Sequence, residues 1–174
     1  PSNGHTLHGL VLSFAKRVDA QLADWIDAQC TFPNSMVDRI VPRTTDANRS
    51  DVQIQLGAND FWPVMAEPFF DWAVEDQFAA GRPAWQAGGA RLVRDAAPYE
   101  TLKLRMVNGS HSAVAYLGAM AAWDTVDVAM AQPVLRHFIE ALMREEIEPT
   151  LQPMQELELA AYRAQLLARF ANPA

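Results

Sequence analysis

The stretch Lys103-Leu104-Arg105-Met106-Val107-Asn108-Gly109-Ser110-His111-Ser112 determines the predicted fold, because it opens a long helical region and carries three polar groups into an apolar setting. On an uninterrupted α-helix at roughly 100° per residue, with Lys103 at zero, His111 falls at about 80° and Asn108 at about 140°. The three side chains then span one side of the helix and can converge on one small ligand. The Asn108-Gly109 pair favours a bend or a local unwinding of the segment.

Proton transfer to or from an alcohol or a carbonyl is the chemistry that these three groups can support. A solvated lysine is a poor base, with a pKa of about 10.4, but desolvation favours its neutral amine. Asn108 can donate its side-chain N–H to a developing oxyanion, and His111 can orient the same oxygen. A solvated lysine and a structural histidine are the alternatives, and spacing alone favours them.

Apolar periodicity predicts a mainly α fold with a few short β-strands. Helices are expected over residues 6–29, 46–56, 100–123, 132–148 and 159–170, and strands over 36–41, 64–66, 69–74 and 90–93. A helix of one or two turns is expected through Trp85, opened by Gly81-Arg82-Pro83. The β-prone sequence gives way to helices at Asp95 to Pro98, so we expect two domains, residues 1–95 and 96–174.

Composition limits the partners and the location. The net charge of −7 and the pI near 5.0 argue against nucleic acid and an anionic membrane, which both select basic faces. One cysteine, Cys30, excludes an internal disulfide framework and leaves too few thiols for a structural zinc site. No apolar run reaches the roughly 18 residues of a membrane span. We therefore expect a reducing, cytoplasmic setting.

Metal binding is not expected from the remaining polar clusters. His5 and His8 lie one turn apart, but no acidic or cysteine partner has metal-motif spacing. The acidic residues Glu145, Glu146 and Glu148 are typical of a solvated helix face. A strand across Asp38 and Arg39 turns one of the two charges inward, and a buried charge normally needs a partner.

Several blocks together resemble one protein family. Two are specific: Lys103-Leu104-Arg105-x-x-Asn108-Gly109-Ser110-His111-Ser112 and Phe32-Pro33-Asn34-Ser35-Met36-Val37-Asp38-Arg39-Ile40-Val41-Pro42. Three others fit in the right order: Pro1-Ser2-Asn3-Gly4, Glu67-Pro68-Phe69 with Trp72 to Asp76, and Arg169-Phe170-x-Asn172-Pro173. Together they resemble the polyol-specific long-chain dehydrogenases, the family of mannitol 2-dehydrogenase and fructuronate reductase.

The resemblance implies roles for individual residues. Lys103 becomes the general base in alcohol oxidation and the general acid in ketone reduction, while Asn108 holds the oxyanion and His111 hydrogen-bonds the reacting oxygen. Glu100, one turn earlier, relays the proton to solvent. The residues that the resemblance places at the cofactor or at the seam between domains are Asn3, Asn34 and Asp38. No metal is required, because the lysine and the oxyanion donors do its work.

The same resemblance implies a piece of a longer enzyme. It covers the end of a nucleotide-binding domain and the start of a helical, substrate-binding C-terminal domain, and by itself it is expected to be inactive. NAD or NADP is the implied cofactor, bound mainly by the N-terminal domain, and a polyol or a sugar acid is the implied substrate. The sequence leaves open the substrate, the choice of dinucleotide and the oligomeric state. A helical interaction module without catalysis is the alternative.

Overall fold

The chain folds mainly as α-helices with a few short strands, which confirms the expected fold class. The computed structural model describes residues 2–154 and 157–173. The chain divides into two compact units, residues 1–96 (unit 1) and residues 97–174 (unit 2). Within the described ranges, no helix is both long enough and apolar enough to cross a membrane.

Unit 1 opens with two helices, α1 (Asn3–Val18) and α2 (Ala20–Gln29), where a single helix over residues 6–29 was expected. That prediction was wrong because Asp19 is extended, with φ −158° and ψ 117°, and its carboxylate accepts the Gln21 N–H at 2.8 Å. The aspartate thus caps α2 instead of continuing α1. Helix α3 (Asp46–Leu56) confirms its expected bounds, with a capping box at Thr45 and a left-handed Gly57 at its end.

A small sheet forms the centre of unit 1. It contains β1 (Ser35–Asp38), β2 (Asp71–Glu75) and β3 (Ala90–Val93), with β1 antiparallel and β3 parallel to β2. A short 3₁₀-helix (Trp85–Gly88) precedes β3. The strand expected over residues 64–66 does not form, because this segment lies between Pro63 and Pro68, which lack the N–H that a ladder needs.

All the regular elements in the described residues of unit 2 are helical. Helix α4 (Ala97–Leu102) leads into a π-helical segment (Lys103–Gly109) and then into α5 (Ser110–Met120). After α6 (Val126–Met130), α7 (Pro133–Ala141) is followed by a second π-helical segment (Leu142–Ile147) and a 3₁₀ turn (Glu148–Thr150). Helix α8 (Leu159–Phe170) ends the unit. The buried core is formed by Leu102, Met106, Val114, Met130, Ile139, Met143, Leu166 and Phe170.

Small residues allow α5 and α6 to approach closely. A Cβ atom added at Gly118 would lie 3.4 Å from the Cβ of Ala129. The chain then leaves α5 through Ala122, whose φ of 56° is left-handed, while the Trp123 N–H bonds back to the Gly118 carbonyl at 2.9 Å. This is the geometry of a Schellman-type helix end, which satisfies carbonyls of the last turn.

Candidate active site

The polar residues of the organising stretch lie in a π-helical segment, not in a regular α-helix. In a π-helix the backbone hydrogen bond runs from i to i+5, so residue i+5 takes the place that i+4 has in an α-helix. Asn108 is five residues after Lys103, and His111 is three residues after Asn108. The wider turn therefore brings Lys103 and Asn108 closer together on one face than the 140° of an α-helix.

The burial pattern separates two faces of this segment. Leu102, Met106 and Val107 are buried and hold the segment in the core of unit 2. Lys103 is half-buried, whereas Asn108 and His111 are exposed. Unit 2 thus carries three side chains that are not fully buried within nine residues, Lys103, Asn108 and His111 (the polar stripe).

His111 and Arg105 each contact a later segment of unit 2. The ring of His111 packs against that of Phe170 on α8, with centroids 5.8 Å apart and planes tilted by 40°. Arg105 donates from Nη1 to the Thr150 carbonyl at 2.8 Å, which ties the first π-helical segment to the turn after the second. The ring of His111 is thereby oriented by Phe170, which belongs to the Arg169-Phe170-x-Asn172-Pro173 block and for which no packing role was predicted.

Glu100 and Ser110 are the buried polar residues at the two ends of the π-helical segment. Glu100 lies on α4, one turn before Lys103, and is 8% exposed. Ser110 is fully buried, and its hydroxyl has no hydrogen-bond partner among the described residues. Ser110 was not singled out from the sequence, because a serine on a helix carries no sign of which way it faces. Ser112 is exposed and donates to the Asn108 carbonyl at 2.9 Å.

In unit 1 the two expected seam asparagines are brought together around Ser35. Asn3 is exposed; its Oδ1 accepts the Ser35 N–H at 2.9 Å and its Nδ2 donates to Ser35 Oγ at 3.1 Å. Asn34 is 4% exposed, and its Oδ1 accepts the backbone N–H of His5 at 3.2 Å. Both asparagines thus attach the start of α1 to the residues at the start of β1.

The Asn34 side chain is held in turn by a buried carboxylate that the sequence did not single out. Glu75 accepts the Asn34 backbone N–H at 2.8 Å and the Asn34 Nδ2 at 3.2 Å on each oxygen. It also accepts the Ala96 backbone N–H at 3.2 Å. Burial raises the pKa of Glu75, but the hydrogen bonds from Asn34 and Ala96, with the charge of His5, outweigh it and leave the pKa below 4.5.

Asp38 is the inward-facing charge of β1. It is 3% exposed, whereas its neighbours Val37 and Arg39 are exposed, which confirms the alternation expected for this strand. Arg39 donates to the Glu67 carbonyl at 2.8 Å and lies 5.8 Å from the centroid of the Phe70 ring. Asp38 is the last residue of β1, so it lies at the opposite end of this strand from Asn3 and Asn34.

Other polar clusters of the sequence have structural partners. His8 lies 2.8 Å from the Asp27 carboxylate and stacks on Phe32, and Glu148 pairs with Arg163 of α8. Among residues 2–154 and 157–173, no three histidine, cysteine or acidic side chains are grouped as metal ligands.

The polar stripe of unit 2 brings an amine, an amide and an imidazole into one short segment, and comparison with known proteins shows the family of the chain. Residues 1–87 match the mannitol dehydrogenase Rossmann domain, and residues 95–174 match the mannitol dehydrogenase C-terminal domain. The chain belongs to the mannitol dehydrogenase family, which confirms the resemblance noted from its motifs.

Three characterised relatives show how far the similarity extends. D-mannonate oxidoreductase of Escherichia coli (strain K12) is 44% identical over 171 residues, which are 98% of this chain and 35% of the relative. The structure of Pseudomonas fluorescens mannitol 2-dehydrogenase, a ternary complex with NAD and D-mannitol, is 40% identical with a TM-score of 0.85, covering 99% of this chain and 35% of that one. A substrate-free D-sorbitol dehydrogenase is 34% identical with a TM-score of 0.90, covering 98% and 35%. The chain thus spans about a third of the length of these relatives.

Proposed function

We propose that this chain is part of an NAD(P)-dependent oxidoreductase that interconverts a secondary alcohol and a ketone of a polyol or a sugar acid. The observation that supports the proposal most is the polar stripe: Lys103 and Asn108 lie five residues apart in a π-helical segment that also contains the buried Met106 and Val107, and this spacing favours one face. π-Helical turns inside α-helices occur frequently at functional sites. Membership of the mannitol dehydrogenase family supports the same reaction class.

The proposed proton path runs through unit 2. In oxidation, the neutral Lys103 amine takes the proton of the substrate hydroxyl, while Asn108 donates a hydrogen bond to the oxygen as negative charge develops on it. His111, oriented by Phe170, hydrogen-bonds the same oxygen. Glu100, three residues before Lys103, passes the proton on towards solvent. In ketone reduction the protonated lysine acts as the acid.

The proposed cofactor residues belong to unit 1, and the hydrogen bonds there distinguish two roles. Asn3 is exposed and keeps a second N–H on Nδ2, so it fits a direct contact with a nicotinamide dinucleotide. Asn34 is buried with its amide bonded to His5 and Glu75, so it fits a supporting role. Asp38 is proposed to act at the seam between domains. When bound, the dinucleotide supplies the hydride acceptor, and the choice of NAD or NADP belongs to the rest of the nucleotide-binding domain.

The relatives support two substrate classes. One is named for D-mannonate, and the structure of another contains NAD and D-mannitol. The residues Tyr99-Glu100 and Lys103-Leu104-Arg105-Met106 resemble the fructuronate reductase branch slightly more than mannitol 2-dehydrogenase, so we propose a sugar acid as the first substrate to test. Because the chain spans about 35% of each relative, we propose that these 174 residues alone do not turn over substrate. We also propose that the enzyme acts in the cytoplasm, with neither nucleic acid nor membrane as partner.

The test is a hydride-transfer assay of the full-length protein. Mannitol, arabinitol, fructuronate and tagaturonate are each offered with NAD⁺ or NADP⁺, or with the reduced dinucleotide for the two keto acids, and nicotinamide absorbance is followed. The proposal expects turnover of at least one of them. No turnover of any by a folded, dinucleotide-binding protein would contradict the proposed substrate class. A folded protein that binds no dinucleotide would instead favour the interaction module.

A further inference from the structure

A buried carboxylate outside the proposed catalytic set, Glu75, accepts several hydrogen bonds in unit 1. Glu75 is 7% exposed and accepts three different N–H groups, from the Asn34 backbone, the Asn34 side chain and the Ala96 backbone. The backbone repeats this connection, because the Glu75 N–H donates to the Asn34 carbonyl at 3.0 Å. Without this carboxylate the buried N–H groups of Asn34 and Ala96 would lose their acceptor, which is costly. The arrangement therefore indicates that an acidic side chain is required at position 75.

The hydrogen bonds lead from Glu75 towards the proposed cofactor residues. Asn34, held by Glu75, accepts the His5 N–H and so fixes the first turn of α1. Asn3 precedes His5 by two residues in the chain. It is bonded to Ser35, the residue that follows Asn34. The orientation of Asn3 therefore depends on where Asn34 is held.

Close backbone packing leaves this junction little freedom to adjust. Gly4 is buried, and a Cβ atom added to it would lie 2.2 Å from the Phe32 carbonyl oxygen and 2.6 Å from that of Pro33. Backbone atoms cannot move aside as the end of a flexible side chain can, so α1 and the residues before β1 meet in one arrangement. A displacement of Asn34 would be transmitted to Asn3 instead of being absorbed.

We propose that Glu75 is a positioning residue for dinucleotide binding, acting through Asn34 to fix the start of α1 and with it Asn3; this inference rests on the proposed function. Glu75 itself makes no contact with the dinucleotide in this account. A carboxylate is needed because its two oxygens accept donors from different directions, whereas an amide has one oxygen and would turn an NH₂ group towards an N–H.

The test compares variants of the full-length enzyme at neighbouring positions. Glu75→Gln removes the buried carboxylate, and Asp76→Asn removes the next one along the chain, which is exposed and pairs with Arg82 at the surface. NAD⁺ affinity is measured by fluorescence titration on protein shown to be folded by circular dichroism, and KM for NAD⁺ and kcat are measured separately. Loss of one well-placed hydrogen bond to the dinucleotide corresponds to roughly a 10- to 100-fold change in a dissociation constant, so we expect Glu75→Gln to weaken NAD⁺ binding by about this factor. Asp76→Asn should leave the binding unchanged.

The outcomes are distinct. A raised Kd and KM for NAD⁺ in Glu75→Gln, with kcat at saturating NAD⁺ much less affected and Asp76→Asn unchanged, supports the positioning role. NAD⁺ affinity within twofold of wild type, or an equal loss in both variants, overturns it. If Glu75→Gln does not fold, Glu75→Asp, which keeps the charge but not the reach, is judged by the same criteria. Wild-type enzyme that neither binds nor uses a dinucleotide would instead overturn the proposed function.

Discussion

At the scale of single residues, Glu75 links the pH to the stability of unit 1. The pKa of Glu75 in the folded state lies below the ordinary value of 4.5. At a pH between the folded-state pKa and 4.5, the unfolded chain therefore binds more protons than the folded chain. The stabilisation is present above pH 4.5 and is lost as the pH falls through the folded pKa. We expect Glu75→Gln to lower stability at pH 7 and to flatten this acid loss, as measured by urea unfolding.

The control for this prediction is Asp76→Asn. The pKa of Asp76 is also lowered, by the hydrogen bond from Arg82, but the pair lies at the surface, where ion pairs contribute little. This variant should keep the acid dependence of the wild type. An acid loss in Glu75→Gln as steep as in the wild type would contradict the assignment to Glu75.

Asn108 carries the second prediction at this scale. If its amide stabilises the developing oxyanion, Asn108→Ala should lower kcat of the full-length enzyme by roughly 10² to 10³, in oxidation and in reduction alike. Ser112→Ala is the matched control, because Ser112 is also exposed and its hydroxyl donates to the Asn108 carbonyl. Equal rates in the two variants would remove Asn108 from the proposed mechanism.

Lys103 and Glu75 show which residues a sequence reveals. Lys103, Asn108 and His111 lie within nine consecutive residues, so their chemistry and their family pattern are visible together. The partners of Glu75 lie 41 and 21 residues away along the chain, at Asn34 and Ala96. A hydrogen-bond network of that range is created by the sheet and has no local signature.

At the scale of secondary structure, caps and periodicity predicted most elements, and competition between local structures explains the exceptions. Helix α3 has its expected bounds because its two ends, the capping box at Thr45 and the left-handed Gly57, are encoded locally. Asp19 is ambiguous, since it suits the interior of one polar helix face or the cap of a new helix, and it caps α2. The π-helical segment was anticipated only as an unwinding at Asn108-Gly109, because core packing sets its register.

The close contact at the start of α1 gives a prediction with an internal control. Gly4→Ala should destabilise the protein, because the added Cβ would lie 2.2 Å from a carbonyl oxygen of Phe32. Overpacking of this kind typically costs about 1 to 3 kcal/mol. Gly9→Ala in the same helix meets no atom within 4 Å and should stabilise by up to about 1 kcal/mol, because glycine is the weaker helix former.

Urea unfolding of the two alanine variants measures both effects. Opposite signs for Gly4→Ala and Gly9→Ala are expected. A Gly4→Ala variant as stable as the wild type would show that α1 can move away from Phe32 and Pro33. That result would also weaken the argument that displacement of Asn34 reaches Asn3.

At the scale of the whole molecule, both units expose large apolar side chains. In unit 1 these include Phe14 at 72% and Trp62 at 85% exposure, and in unit 2 Tyr116 at 74% and Met120 at 85%. Within residues 32–40 and 61–72 of unit 1, Val37, Phe61, Trp62 and Phe70 are also exposed.

These surfaces predict that the 174-residue chain self-associates when it is prepared alone. Apolar patches of this kind mark interaction sites or favour association. Sedimentation velocity should show a weight-average mass above the 19.3 kDa of one chain, rising with concentration. Trp62→Ser is expected to reduce this association without unfolding the protein, because the ring is largely exposed. A monomer at all concentrations would contradict the prediction.

The central claim is that Lys103 transfers the proton, and the pH dependence of the full-length Lys103→Ala variant tests it most directly. Oxidation needs the neutral amine, so kcat/KM of the wild type should rise with pH as the amine loses its proton. Lys103→Ala should lower the rate by about 10² to 10⁴ and abolish that rise, while NAD⁺ affinity stays close to wild type. Lys16→Ala, which replaces the other lysine of the sequence in the exposed last turn of α1, should behave as the wild type. Near-normal turnover of Lys103→Ala with an unchanged pH profile would contradict the claim.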